Sequence, residues 1–346
     1  MIDDVDDLLD RIAAGTLEEE AELRVYADQL ILRGDPLGEL IVVAGDRVRR
    51  DTPELARREG ALIAEHDAAL NRALGRPRTT YRWRRGFVDA ITFHHTGDEQ
   101  LERSLPALAG RRETRLLRRI EVHTVAIDGR GDLGPWFASL ARFAPHFPRL
   151  GEIVIREDPN AGNPWLVDSP VALHDVSPLY GAYPGLEVLE LDGTSLELHD
   201  IVLPNVRRFL ATRLAADDAR RIVAAELPRL ADLELSFAIR HRGNIPATFG
   251  PLLHREFPHL EALSLALQAV DDQLWMIREL AAAPIARRVR RLAFRRARLD
   301  VRCIERLIAD RARYRVLEVL ELPAVGLAAA LQQRLSRTYG AVLKLV

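Results

Sequence analysis

Few side chains in this 346-residue chain could do chemistry, and their spacing restricts what they could do. Two histidines stand together at His94-His95, and a third lies at His123. Adjacent strand residues point to opposite faces, so His94 and His95 cannot chelate one ion together. His123 can meet His94 across neighbouring strands, but no third ligand is spaced to join them, and no metal is expected. The single cysteine, Cys303, sits on an apolar helical pattern and reads as a small buried hydrophobe. A nucleophile there would need a neighbouring base, and none is evident. The sequence holds no Gly-x-Ser-x-Gly elbow, no glycine-rich phosphate loop and no zinc-type cysteine set. A non-enzymatic chain without a cofactor is therefore expected.

Charge carries more information. Arg287, Arg288, Arg290, Arg291, Arg295, Arg296 and Arg298 fall in the span 287–298 without an intervening acid. Such a run can bind nucleic acid or another anion, which is the alternative reading of this chain. Strand alternation would divide the run between two faces. Arginine also replaces lysine almost everywhere, since only Lys344 of the 49 basic residues is a lysine. That bias reads as GC-rich bacterial coding and inflates any arginine cluster. The net charge of −2 argues against a general nucleic-acid binder, which usually carries excess positive charge.

The elements that position these residues are announced by Leu186-Glu-Val-Leu-Glu-Leu-Asp-Gly-Thr-Ser-Leu196. Leucines at its positions 1, 4, 6 and 11 match the skeleton of a leucine-rich repeat. The same spacing begins at Val88, Leu117, Leu150, Leu186, Val206, Leu230, Leu260, Val289 and Leu317, at intervals of 20 to 36 residues. Helical text separates several of these strands, as in Asp217–Glu226, Gln273–Ala283 and Arg302–Arg313, with Asp217 and Asp271 suited to N-caps. Prolines at 148, 184, 228 and 258 end a helix and extend the chain before the next strand. The asparagine usual at position 9 is missing, so an irregular repeat is expected. The predicted fold is α/β: a leucine-rich-repeat-like solenoid over 83–346, a horseshoe with a parallel sheet inside and helices outside.

In such a fold the strand residues alternating with the leucines form a concave face. These are His94, Arg119, Glu121, His123, Glu152, Arg156, Glu190, Asp192, Arg208, Thr212, Asp232, Glu234, Ser264, Arg291, Arg295 and Glu321. Rows of mixed charge suit a polar protein partner. His94, Glu121, His123, Glu152, Arg156, Glu190, Asp192, Arg208, Asp232, Glu234, Arg291 and Arg295 are the expected contacts. Reversing Glu190 and Asp192 to arginine is expected to weaken binding and leave folding intact. Asp158–Pro164 reads as a long exposed loop that could also meet a partner.

Residues 1–82 read as a helical cap, with breaks at Gly15, Gly34-Asp-Pro36 and Gly75, and Thr52-Pro53 as an N-cap followed by proline. Tyr26-Ala-Asp-Gln-Leu30, Arg33-Gly-Asp-Pro36 and Gly38-Glu39 resemble the repeat-companion domain of bacterial proteins, which precedes degenerate leucine-rich repeats. Gln29 stands where that family usually has tryptophan. Trp83-Arg-Arg-Gly-Phe-Val88 is similar to its junction with the first repeat strand. The resemblance covers roughly residues 5–90 and implies an architecture, with no activity to assign. The acidic start, the absence of a long apolar run and the lone cysteine make a cytoplasmic location the expectation.

Overall fold

The apolar alternation that marks nine strands is seated in a computed structural model. It describes residues 5–15, 19–75, 78–94, 98–124, 132–157, 171–238, 245–323 and 328–346. The chain divides into two compact units, Met1–Val171 and Ala172–Val346.

The first unit begins with helices α1 (Val5–Ala13), α2 (Glu19–Leu32), α3 (Pro36–Arg49) and α4 (Pro53–Leu74). Their boundaries follow local chemistry. Asp35 accepts from the Leu37 amide at 3.0 Å and Thr52 from the Leu55 amide at 3.3 Å, each ahead of a proline in the first turn. Gly75 closes α4 in the left-handed region. Tyr26, Ala27, Leu30, Leu37, Leu40 and Ile41 bury their side chains in one core shared by α2 and α3. A Cβ on Gly38 would lie 2.7 Å from the Ala27 carbonyl oxygen, so glycine lets these two helices touch. The motif residues Tyr26, Gly34, Asp35 and Gly38 therefore act through packing, turning and capping.

Strands β1 (Thr79–Arg84), β2 (Phe87–His94), β3 (Arg119–Thr124) and β4 (Glu152–Glu157) follow, with α5 (Asp98–Ala109) and α6 (Gly134–Arg142) between the later ones. They lie in the order β1-β2-β3-β4. β1 is antiparallel to β2, and β2, β3 and β4 are parallel. β1 is an addition to the sequence reading, which placed its first strand at Val88. Its two-residue hairpin loop, Arg85-Gly86, has positive φ at both positions, which fits the twist of the flanking strands.

The second unit contains β5 (Ala172–Asp175), α7 (Pro178–Ala182), β6 (Val188–Leu191), β7 (Thr194–Glu197), β8 (Arg208–Leu214), α8 (Ala216–Ala224), β9 (Asp232–Phe237), α9 (Ile245–His254) and β10 (Ala262–Leu267). It continues through α10 (Val270–Ala282), β11 (Arg291–Ala293), α11 (Val301–Ala309), β12 (Val319–Leu322), α12 (Ala329–Tyr339) and β13 (Leu343–Leu345). Its main strands run β6-β8-β9-β10-β11-β12-β13, each parallel to the next. β5 and β7 form a separate small sheet.

Eight of the nine expected strands start two residues after the first leucine-type position, and β2 starts one residue before it. The position-4 residues meet in register: Ile91, Ile120 and Ile153 in the first unit, and Leu189, Phe209, Leu233, Leu263, Leu292 and Leu320 in the second. All are buried. The prolines do more than stop helices. Leu150, Leu186, Leu230 and Leu260 each donate a main-chain hydrogen bond three residues back, closing a turn over Pro148, Pro184, Pro228 and Pro258. At α8 the expected cap moves by one residue, because Asp218 accepts from the Ala215 amide and Asp217 pairs with Arg220 on the surface. Asp271 likewise is exposed and pairs with Arg302 at 2.8 Å.

Strands that advance in one direction through right-handed crossovers keep their helices on one face of the sheet. The other face is left to the residues that alternate with the core rows. Among the described residues, no helix is long and apolar enough to cross a membrane.

Gly86 and Gly60 make a paired test of this packing. A Cβ at Gly86, where φ is +84°, would sit 2.7 Å from Ile41 Cγ1 and 2.8 Å from its Cα, whereas Gly60 in α4 has open space. Gly86→Ala should lower unfolding free energy by about 2 kcal/mol or more. Gly60→Ala should raise it by about 0.5–1 kcal/mol. Urea midpoints measured side by side check both.

Candidate functional site

On the helix-free face of the second unit, one row of Cα partners runs Glu190, Leu210, Glu234, Ser264, Ala293, Glu321 and Lys344. The row beside it runs Val188, Arg208, Asp232, Ala262, Arg291 and Val319. Neighbouring strands lie about 4.8 Å apart, so long arginines reach the acids of the next strand. Arg208 donates to Glu190 at 2.6 Å and pairs on its other side with Asp232. Arg291 lies 3.8 Å from Asp232. Arg295 spans Glu321 at 2.5 Å and Glu234 at 3.4 Å, and Lys344 meets Glu321 at 3.1 Å.

Asp192 is bonded from three sides. It accepts from Thr212 Oγ1 at 2.6 Å, from Arg213 at 3.3 Å and from Arg296 at 2.8 Å. Asp192 follows β6 and Arg296 follows β11, four strand steps away. A flat sheet would separate those strands by about 19 Å. The direct bond therefore requires the sheet and the segment after β11 to close over this end of the face.

This geometry corrects the expected exposure of the acids. Glu190, Asp192, Glu234 and Glu321 are only 3%, 5%, 6% and 8% exposed. The surface presented to solvent is cationic, with the side chains of Arg291, Arg295, Arg296 and Lys344 at 60%, 46%, 41% and 61%. A carboxylate can be buried here because guanidinium groups fold over it. Burial pushes the Glu234 carboxyl above its usual range, against the pull of Arg295, Arg296 and Arg208. The Arg295 hydrogen bond holds Glu321 below its usual range, aided by Lys344 and opposed by burial.

In the first unit the expected residues also meet, on adjacent strands. His94 and His123 rings stand edge to face with centroids 5.0 Å apart, and His94 Nε2 lies 3.2 Å from Thr80 Oγ1. His123 Nε2 lies 2.9 Å from Glu121, while Arg119 bridges Glu121 at 2.7 Å and Glu152 at 2.6 Å. Arg156 is 3.7 Å from Glu121. Burial would raise the Glu121 carboxyl, but hydrogen bonds from His123 and Arg119 outweigh it and hold it low. Among the described residues, no group of three or more His, Cys, Asp or Glu is arranged to hold a metal. His95 and the 158–164 loop lie outside the described residues.

The arginine run divides three ways. Arg291, Arg295 and Arg296 belong to the paired face, and Arg287, Arg288 and Arg290 line the edge where strands begin. Arg298 is exposed elsewhere. Cys303 is fully buried, and burial pushes its thiol up to about 11, so it is not an activated nucleophile.

Sequence reading missed two roles. Buried Gln273 accepts from the Leu267 amide at 2.7 Å, and Thr212 takes the Gly193 amide at 3.3 Å. They satisfy strand-end amides that a regular asparagine ladder would serve. On the small β5–β7 sheet, His199 lies 3.5 Å from Asp175, and His174 lies 3.7 Å from Glu197. His174 and His199 both have positive φ, a feature that sequence does not announce.

The fold has a relative among solved structures. A protein from Bacteroides fragilis superposes with a TM-score of 0.62 at 17% identity, covering 84% of this chain and 83% of that one. At that identity the likeness concerns the fold alone. No family model matches the chain. No curated protein is similar to it in sequence.

The buried acids yield two expectations. Asp192→Ala should destabilise the second unit by about 2–3 kcal/mol, because Arg213, Arg296 and the Thr212 hydroxyl lose their common acceptor. Because both carboxylates are buried, the double change Glu190→Arg with Asp192→Arg should prevent native folding, in contrast to the sequence-based expectation of an intact fold. Urea unfolding and near-UV circular dichroism read both. The second concerns acid. Because the folded state lowers the Glu321 pKa, its contribution is present above its ordinary value of 4.5 and fades as pH falls through the lowered value. Glu321→Gln should therefore reduce the loss of stability on acidification below about pH 4.5, measured as urea midpoint against pH.

Proposed function

We propose that the chain is a non-enzymatic recognition module that binds an acidic protein partner on the helix-free face of its sheet. The carrying observation is the layered charge of the second unit: carboxylates beneath, and Arg291, Arg295, Arg296 and Lys344 exposed above them. The acids fix the arginine positions, so little side-chain freedom is lost when a partner's carboxylates arrive. Complementary charge then supplies orientation and on-rate. The Arg119, Glu121, His123 and Glu152 cluster of the first unit offers a second polar patch of paired charges.

The repeat spacing supports reading the strand series as degenerate leucine-rich repeats. The resemblance of residues 5–90 supports a repeat-companion cap ahead of them. In such a protein the scaffold supplies surface, which agrees with the buried, high-pKa Cys303 and with the absence of a Gly-x-Ser-x-Gly elbow. The division of the 287–298 run among three surfaces weighs against nucleic acid as the partner of that run as a whole.

A photo-reactive residue replacing Arg291 in the full chain should crosslink in cells to a protein of acidic surface. The same probe at Arg337, exposed on α12, should not. Adding Lys344→Glu to the Arg291 probe should reduce the adduct at least fivefold while the melting curve stays close to that of the parent. Adducts confined to the Arg337 probe, or no dependence on Lys344, would refute the face as the contact. Turnover of a substrate abolished by His94→Ala would refute the non-enzymatic reading.

A further inference from the structure

The turns that lead into successive strands of the second unit stack as closely as the strands do. The Arg207 amide donates to the Glu187 carbonyl at 2.8 Å, Ala231 to Arg207 at 2.8 Å, Glu261 to Ala231 at 2.9 Å and Arg290 to Glu261 at 2.8 Å. This stacking gathers Arg207, Arg229, His259, Arg287 and Arg288, from four separate turns, around one open recess of about 670 Å³.

The recess differs from the paired face in one respect. Arg290 bonds Glu318 at 2.7 Å. Arg207, Arg229, Arg287 and Arg288 have no ion pair or side-chain hydrogen bond among the described residues, whereas Arg208, Arg221, Arg295, Arg296 and Arg306 of the same unit are bound to carboxylates. Glu261 is the one lining carboxylate. The four arginines against one carboxylate leave an excess of three positive charges. Unscreened like charges repel one another, and a bound anion relieves that repulsion. Guanidinium forks match phosphate oxygens in pairs. The volume lies in the range of small-ligand sites, and Pro258 and Val316 add an apolar wall.

The geometry points to a site for a small molecule carrying a diphosphate or triphosphate group, held by Arg207, Arg229, Arg287 and Arg288. Three excess charges match one such group. The four arginines converge on one local recess, which suits a compact polyanion. The site is on a different edge from the proposed partner face and shares none of its residues, so each reading can fail alone.

Calorimetric titration of the full chain with inorganic triphosphate, and separately with a nucleoside triphosphate, tests it at about 50 mM and about 200 mM salt. Saturable one-site binding that weakens with salt is expected. Arg229→Glu with Arg288→Glu should weaken it at least tenfold, and Arg298→Glu, outside the recess, should leave it within twofold. Arg207→Gln with Arg287→Gln approaches the same recess from the other two positions and should also weaken it, which guards against misfolding of the first variant. Tighter binding of the nucleoside form assigns the organic part to the Pro258–Val316 wall. Equal affinities identify the phosphate chain as the recognised group. Unsaturable binding, unchanged affinity in both recess variants, or binding only to a single-stranded oligonucleotide or to polyglutamate would overturn the site.

Discussion

Residue-for-residue register between parallel strands governs both surfaces of the sheet. With neighbours about 4.8 Å apart, any residue type repeated at one position of the pattern becomes a continuous row. Leu189, Phe209, Leu233, Leu263, Leu292 and Leu320 make the apolar row that helices cover. One residue further on, the same register brings Glu190, Glu234 and Glu321 into a row on the opposite face. A slip of one residue on any strand would exchange the two surfaces.

That helix-free row creates an electrostatic problem that arginine resolves. Carboxylates set among Leu210, Ala262 and Ala293 are starved of water, and each needs donors within reach. Arg208, Arg213, Arg295 and Arg296 meet this need across strands, using forked donors on long stems. The consequence is a surface whose outermost groups are cationic although its acids and bases are nearly balanced. At the leading edge of the strands the same stacking places arginines side by side with one carboxylate among them. One register thus produces a neutralised face and an uncompensated edge.

Irregularity is handled locally. Where a uniform repeat would use one ladder of side chains to satisfy strand-end amides, this chain uses Thr212, Ser236 and Gln273 at individual positions. Each solves one buried hydrogen-bonding requirement. This explains how the repeat text can decay while the strands persist. The β1–β2 hairpin shows the reverse case: Arg85-Gly86 forms a tight turn without the Asn-Gly or Asp-Gly pair that would have announced it.

The sequence alone determined where nine strands lie and which residues point to the core, because alternation and leucine spacing are local properties. It also determined the cap at Thr52, which depends on a neighbour three residues away, and the break at Gly34-Asp-Pro36. It did not determine that Glu190 and Asp192 would be buried. Their burial depends on Arg208, Arg213 and Arg296, and Arg296 is 104 residues from Asp192. Nor did it separate the arginines at 287–298 into paired and unpaired groups. That separation depends on which acids of other strands come into register, and on the turns at 207 and 229 that complete the recess. Periodicity is written along the chain, whereas charge compensation is decided between strands distant in sequence, so only the tertiary structure could assign it.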